Sequence, residues 1–405
     1  MRITYLLNST RLQNGATKSF MALLENAVKA GVEPTVVVPD SNGVHDKLVS
    51  MGLDVLVLNY RPAVYPWLDS WSDALLFLPR LMGRIYLNRR ASKKLVKHLK
   101  NNATDIIHTN VSVIDVGFMA AKKLHVPHIY HIREYADKDF NMFHYPTKRH
   151  FISRLQSPRC YSVCITNDIR KHNKQESNLR STVIYNGISH SATCSTGQAS
   201  TGADSAIGST PYFLFAGRIE EAKGIDMLMQ GYISYARQCK SSPLPLYLAG
   251  DIPNQAIKQA VENDAAQNGL EGKVKFLGAR NDMENLMRGA RAIIITSRFE
   301  AFGRCMPEAM LCGCLAIARN TGGTLEQLEN GKRFTGEDIA LRFDTPDELS
   351  GMLRKAETMS DEEYRSITNN ALKTVKELYS PETYANSILS LYRKILSRRP
   401  VHNKT

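Results

Sequence analysis

The sequence predicts an α/β fold of two domains, each a parallel sheet with helices on both faces. Three observations carry that prediction. Short apolar runs alternate with segments of helical periodicity along most of the chain, the pattern of parallel strands joined by crossover helices. The alternation breaks once, between Ser189 and Thr210, where Ser, Thr, Gly and Ala dominate and large apolar side chains are nearly missing. A length of 405 residues with 43% hydrophobic content suits two or three domains with ordinary cores. The expected division is a first domain at 1–188, a flexible linker at 189–210, a second domain at 211–380 and a helical segment at 381–405.

The first strand is predicted over residues 3–7. A turn at Gln13, Asn14 and Gly15 leads into a helix whose apolar residues Phe20, Leu23, Leu24, Ala27 and Val28 follow the spacing of one buried face. Gly31 closes that helix, and strands follow at 35–38, 54–58, 105–108, 128–131, 161–165 and 182–185. The second series has strands at 211–217, 246–249, 274–277, 291–296 and 315–318. Residues 381–396 read as a helix with apolar positions Tyr384, Ile388, Leu389, Leu391 and Ile395. There is no internal repeat of 20–50 residues.

Composition excludes several classes. No run of eighteen apolar residues exists, so no segment is expected to span a membrane. The chain passes directly into its first strand, and the apolar stretch there is too short for a signal peptide. Seven scattered cysteines, an odd number, suit a reducing cytoplasmic setting, and Cys160/Cys164 and Cys312/Cys314 lack matching zinc partners. Asp137-Lys-Asp139 imitates a metal-holding aspartate pair, but it follows Arg-Glu-Tyr-Ala rather than an apolar strand and reads as a charged loop. No phosphate loop of the Walker type and no dinucleotide glycine fingerprint follows any strand. Net charge is +13, and residues 79–100 hold eight Lys/Arg and no acid. Such a balance concerns partners, and no nucleic-acid-binding motif accompanies it.

The chemistry concentrates at residues 296–310. Glu300 and Glu308 straddle a glycine turn between an apolar run and a short helix expected over 308–312. A strand that ends in a glycine turn before a helix offers unpaired N–H groups to an anion, here near Gly303, Arg304 and Cys305. The flanking carboxylates would repel phosphate but accept hydrogen bonds from hydroxyl groups. Phosphate between two hydroxyl-bearing rings describes a nucleotide sugar, with Glu300 toward the transferred sugar and Glu308 toward the ribose. Arg218 and Lys223, in the loop after the strand ending at Gly217, supply two fixed cations for a diphosphate leaving group.

Together these residues resemble the GT4 family of retaining glycosyltransferases, which have the fold called GT-B. The motifs are Gly217-Arg218, Lys223-Gly224, Glu300-x-Phe302-Gly303, Glu308-Ala-Met310 and Thr321-Gly-Gly-Thr-Leu-Glu326. The resemblance covers most of the chain and is strongest from Phe213 to Glu326. It implies two facing Rossmann-like domains, a C-terminal helix that crosses back to the first domain, and transfer with retention. It further implies a donor-facing His131 in Tyr130-His-Ile-Arg-Glu134, a first-domain loop at Gly15 lying against the diphosphate, and a donor-facing loop at Glu326. The family usually has two adjacent glycines where this chain has Gly15 alone. His108 also ends a strand and has either a structural or a functional reading.

The expected activity is transfer of a sugar to a hydroxyl of a glycan or lipid-linked acceptor, with no cofactor, no metal and no nucleic acid. The alternatives are a sugar phosphorylase or epimerase on the same fold, or a non-catalytic protein binding anionic polymers. Tyr65-Pro-Trp-Leu-Asp-Ser-Trp71, the apolar stretch 74–78 and the basic run 80–100 suit either an anionic membrane surface or an ordinary helix packed on the first domain. The expected location is cytoplasmic, at the inner face of the cell membrane in the first case.

Overall fold

The computed structural model describes residues 1–12, 14–189 and 210–398; Gln13 of the expected turn and residues 190–209 of the expected linker lie outside them. The chain divides into two compact units. The first comprises Met1–Gly187 together with Pro381–Thr405, and the second Ile188–Ser380.

The first unit is a seven-stranded parallel sheet of β1 (Arg2–Leu6), β2 (Glu33–Val38), β3 (Asp54–Val57), β4 (Ile106–Thr109), β5 (His128–Ile132), β6 (Cys160–Cys164) and β7 (Ser181–Val183). Their order is β3-β2-β1-β4-β5-β6-β7. Side chains alternate across a strand, so Ile3 and Tyr5 enter one core and Leu6 the other. The helices Gly15–Lys29 and Pro381–Ser397 pack together over the first of these faces. Phe20, Leu23, Leu24 and Ala27 are buried as the spacing predicts, while Val28 is exposed. In the last helix Tyr384, Ile388, Leu389 and Ile395 are buried, and Tyr392 takes the interior place expected of Leu391, which is only half-buried. The opposite face is covered by Trp71–Asn101 and Val116–Leu124. Trp71–Asn101 runs unbroken through Pro79, where sequence reading separated an apolar stretch from a basic helix.

The second unit is a six-stranded parallel sheet of β8 (Phe213–Ala216), β9 (Leu246–Ala249), β10 (Val274–Gly278), β11 (Ala292–Ile295), β12 (Leu315–Arg319) and β13 (Leu341–Phe343), ordered β10-β9-β8-β11-β12-β13. β13 escapes sequence reading because its three residues, Leu-Arg-Phe, are too short to show a period. Helices Ile225–Gln238 and Pro346–Thr358 press together where Gly231 has no side chain: a Cβ there would stand 2.6 Å from Leu349 Cδ2. The helix expected over 308–312 spans Cys305–Leu311 instead. Pro307 falls at its third position, where the N–H would have no intrahelical partner anyway.

The first unit buries several histidines in uncharged form. Burial pushes His128 down to about 3 and His144 to about 4. Burial, reinforced by the Arg133 guanidinium, holds His108 and His131 well below the ordinary range. The unfolded chain binds protons at these sites near the ordinary value of 6.5. Their contribution to stability is therefore present above that value and is lost as pH falls below it. Glu134, lifted by burial to about 7, and Asp115 and Asp139, also raised by burial, act in the opposite sense, while His172, held low by its own burial, joins the histidines. The thermal unfolding midpoint should fall between about pH 7 and about pH 5. His128→Gln should flatten that slope; a midpoint that stays level or rises on acidification contradicts the buried neutral state.

Candidate active site

In both sheets the strand order reverses once, between β1 and β4 in the first unit and between β8 and β11 in the second. Ligands in open α/β sheets bind beyond the carboxyl ends of the strands at such a reversal. In the second unit that edge is lined by glycine. Gly217 follows β8, Gly250 follows β9 and Gly278 ends β10, each at positive φ. Gly217 N–H donates to Ala249 O at 2.9 Å and Gly250 N–H to Gly278 O at 2.8 Å. A Cβ at Gly250 would stand 1.9 Å from the Gly217 carbonyl oxygen, so no side chain can occupy that position of the rim. Sequence reading singled out Gly217 alone; the signal for the other two was a glycine at the end of each of the next two strands.

Three loops converge on Glu300. The loop after β8 runs through a short 3-10 turn, Glu221–Lys223, to Gly224 at φ +67. It is tied to the loop after β11 by Thr296 Oγ1 donating to Lys223 O at 2.8 Å and Arg298 N–H donating to Ala222 O at 2.9 Å. This places Lys223 Nζ 2.6 Å from Glu300 Oε1, which also accepts from Ser297 Oγ at 2.7 Å. The loop after β12 closes on the same residue, Gly323 N–H donating to Glu300 O at 2.7 Å. Gly323 permits that approach, because a Cβ would lie 2.6 Å from Phe302 Cα. Phe302 is buried against Tyr379 in an edge-to-face contact at 5.7 Å. Its carbonyl accepts from Gln327 Nε2. Ser297 and Gln327 hold this loop in place and were not picked out from sequence.

The other expected donor-site residues lie along the same segment. Gly303 takes φ +80, and Arg304 precedes the helix Cys305–Leu311. Arg304 pairs with Glu308, its Nε and NH2 each 3.0 Å from Oε1. Cys305 Sγ donates to Ala216 O at 3.3 Å, seating the helix start on the end of β8, and burial pushes the thiol up to about 12. Its part is structural. Glu326 stands half-buried in the first turns of Gly322–Thr335. Arg218 lies half-exposed and pairs with Glu220 at 2.9 Å. Burial opposes the charge on Lys223, but the adjoining Glu300 carboxylate outweighs it and raises the ammonium above its ordinary range. Lys223 is thus firmly cationic at neutral pH.

Gly15 and His131 belong to the first unit. Gly15 opens its helix behind the Asn14 cap, whose side chain accepts from Ala16 N–H at 2.9 Å. Asn110, after β4, donates to Ala16 O at 3.1 Å across that unit's own strand reversal. His131 is 0% exposed, which sequence reading did not anticipate for a residue facing a ligand. It stacks on His108, and its Nδ1 receives Arg133 NH2 at 3.3 Å. The proton therefore sits on Nε2, which has no partner among the described residues. His108 Nδ1 meets Tyr392 OH at 2.5 Å, giving that histidine an anchoring role. Asp137 and Asp139 lie in a short helix, Asp137–Phe140, rather than a loop; Asp137 pairs with Lys148 and His172, and Asp139 accepts from Tyr135 N–H.

Two parallel α/β units, each with one strand reversal, have the architecture of the GT-B fold. Sequence models of known families agree: "Glycosyl transferases group 1" matches residues 203–374 and "Glycosyltransferase Family 4" matches residues 13–192. The chain belongs to the GT4-type glycosyltransferases. It is 22% identical over 302 residues to the uncharacterized glycosyltransferase MJ1178 of Methanocaldococcus jannaschii, covering 73% of this chain and 77% of that one. It is 25% identical over 203 residues to the lipopolysaccharide core biosynthesis mannosyltransferase LpsB of Rhizobium meliloti, covering 48% and 56%. The crystal structure of Anabaena HepE with UDP superposes at a TM-score of 0.75 and 20% identity, over 97% of this chain and 100% of that one, a likeness in fold.

The packing at Gly323 yields a direct test. Gly323→Ala should destabilise the protein by about 1–3 kcal/mol, because backbone atoms, not a flexible side chain, meet the new methyl group. Gly351→Ala, in the helix Pro346–Thr358 with nothing within 4 Å, should instead stabilise by about 0.5–1 kcal/mol. Urea unfolding of both variants checks the pair; equal shifts would show that the loop contact at Gly323 is not tight.

Proposed function

We propose that the protein transfers a sugar from a nucleotide-diphosphate donor to a hydroxyl of a glycan or lipid-linked acceptor, with retention, in surface polysaccharide biosynthesis. The observation that carries this reading is the contact of Lys223 and Glu300 at 2.6 Å beside a glycine-lined strand edge. The rim leaves room for a diphosphate against the backbone. Lys223 and Arg218 neutralise the charge that builds on the leaving phosphate, the electrostatic contribution that dominates such transfers. Glu300 accepts hydrogen bonds from the hydroxyls of the transferred sugar, and Glu308 from the ribose. Before the donor arrives, each member of the Lys223–Glu300 pair holds the other in place. The leaving phosphate oxygen takes the acceptor proton. His131 offers one N–H donor at the carboxyl end of β5.

HepE, solved with UDP and glucose, and LpsB, a mannosyltransferase of lipopolysaccharide core biosynthesis, support a nucleotide-sugar donor and a surface-glycan acceptor. The chain then works as a cytoplasmic protein at the inner face of a membrane. The two resident cations do the work that a divalent ion does elsewhere, so transfer needs no metal.

Glu300→Gln and Lys223→Ala should each reduce transfer by about a hundredfold or more while the fold is retained. Lys223→Ala should also weaken binding of the nucleotide diphosphate product, and Glu300→Gln should spare it. A thermal-shift screen of nucleotide sugars identifies the donor, and the anomeric configuration of the product, read by NMR, tests retention. Near wild-type rates in both variants would remove the site assignment. Separately, activity should persist in excess chelator; loss that magnesium or manganese restores would overturn leaving-group stabilisation by Arg218 and Lys223.

A further inference from the structure

The helix Trp71–Asn101 is held along one side only. Phe77 stacks on Tyr65 at 5.9 Å, Arg84 donates to Val64 O at 2.8 Å, and Asn88, Leu95 and Leu99 are buried. At roughly 100° per residue these positions share one face, and a second stripe runs along the opposite one. Its first half carries Trp71, Leu75, Leu78, Met82 and Tyr86, which are 90, 82, 67, 63 and 61% exposed. Its second half carries Arg89, Lys93, Lys97 and Lys100, all exposed. Trp67, 43% exposed in the preceding loop, extends the apolar end. Large apolar side chains left uncovered in a row mark a surface that meets something.

The distribution of charge selects the occupant. A second copy of the chain fits poorly: parallel pairing sets ammonium groups against ammonium groups, and antiparallel pairing sets them on Leu and Trp. Among the described residues no helix is long and apolar enough to cross a membrane, and Asp73, Arg80 and Arg84 interrupt the apolar half. A bilayer surface accepts both halves, aromatic and aliphatic groups at the acyl boundary and Arg/Lys among anionic headgroups. Polarity here changes along the helix axis rather than around it. A helix lying flat would need its apolar and basic residues on different sides; this one presents them end to end.

We infer that this stripe docks the first unit on an anionic bilayer with the helix tilted, its Trp71 end in the acyl boundary and its Lys100 end among the headgroups. The inference rests on the reading of a membrane-side acceptor and adds the surface and the manner of contact. Insertion supplies depth and the basic end supplies lipid choice.

Trp67 and Trp71 are the two tryptophans of the chain, so tryptophan emission reports on this surface alone. With vesicles of phosphatidylglycerol in phosphatidylcholine, emission should shift to the blue and be quenched by bromine-labelled acyl chains; phosphatidylcholine alone should give little change. Changing Arg89, Lys93, Lys97 and Lys100 to Ser should lower partitioning about fivefold per residue removed. Leu75→Glu with Leu78→Glu should lower it at least tenfold, since each loses the transfer energy of a buried leucine. Both side chains are exposed, so the unfolding midpoint should not move, and binding of nucleotide sugar by the same variant should be unchanged. That second readout separates the two readings: lost donor binding in the parent protein removes the donor site and leaves docking standing. No emission change with any vesicle, or equal changes with neutral and anionic ones, overturns the proposal. So does concentration-dependent self-association in sedimentation velocity that the leucine variant abolishes while vesicles go unbound.

Discussion

The reversal of strand order between β8 and β11 is the constraint on which the candidate site depends. Chains leaving adjacent strands in opposite directions leave a gap at the carboxyl edge that neither crossover fills. The loops on either side meet across it through two hydrogen bonds, Thr296 Oγ1 to Lys223 O and Arg298 N–H to Ala222 O. Residues 77 positions apart in sequence are thereby held as an ion pair. A partly buried pair of this kind adds little to net stability, because desolvation offsets much of the attraction. Its value lies in keeping both charged groups in one geometry before a ligand arrives.

Both units share one strand order over six strands, yet their edges differ in chemistry. The second unit clears its edge with glycine. The first fills its own with polar side chains around Arg133, which is only 8% exposed. Arg133 donates to Asn110 O at 3.0 Å, to Asn186 Oδ1 and to Tyr384 OH at 2.7 Å, so one guanidinium fastens the loops after β4 and β7 and the last helix. Its donors meet carbonyl, amide, hydroxyl and imidazole acceptors, and among the described residues no carboxylate pairs with it, which leaves a positively charged interior. Burial holds His108 and His131 neutral, and that charge adds to it.

The alternation of apolar runs with helical periods located twelve of the thirteen strands among the described residues, because buried parallel strands such as Ile-Ile-Ile leave little ambiguity. The short β13 lacked any such signal. Glu300, Lys223 and Gly217 were legible since each follows a strand end, where backbone geometry restricts residue choice. The supporting residues were not. Gln327 acts through the carbonyl of Phe302 on a loop remote in sequence, and Arg133 through a helix some 250 residues away. The depth of His131 was illegible for the same reason: Tyr384 and Tyr392, which enclose its neighbourhood, come from the other end of the chain.

The passage of the chain from the first unit to the second and back gives it an order of assembly. The second unit is continuous, so all of its strands are available to one another once residue 380 has been made. The first is not: Tyr384, Ile388, Leu389, Tyr392 and Ile395 belong to a core begun by Ile3 and Tyr5. During synthesis the earlier half of that core must wait, with Phe20 and Leu24 on an unfinished face, until the whole inserted unit has emerged. Completion of the first unit therefore waits for synthesis of the last helix, and a chain cut after residue 188 would release a half that cannot close its own interior.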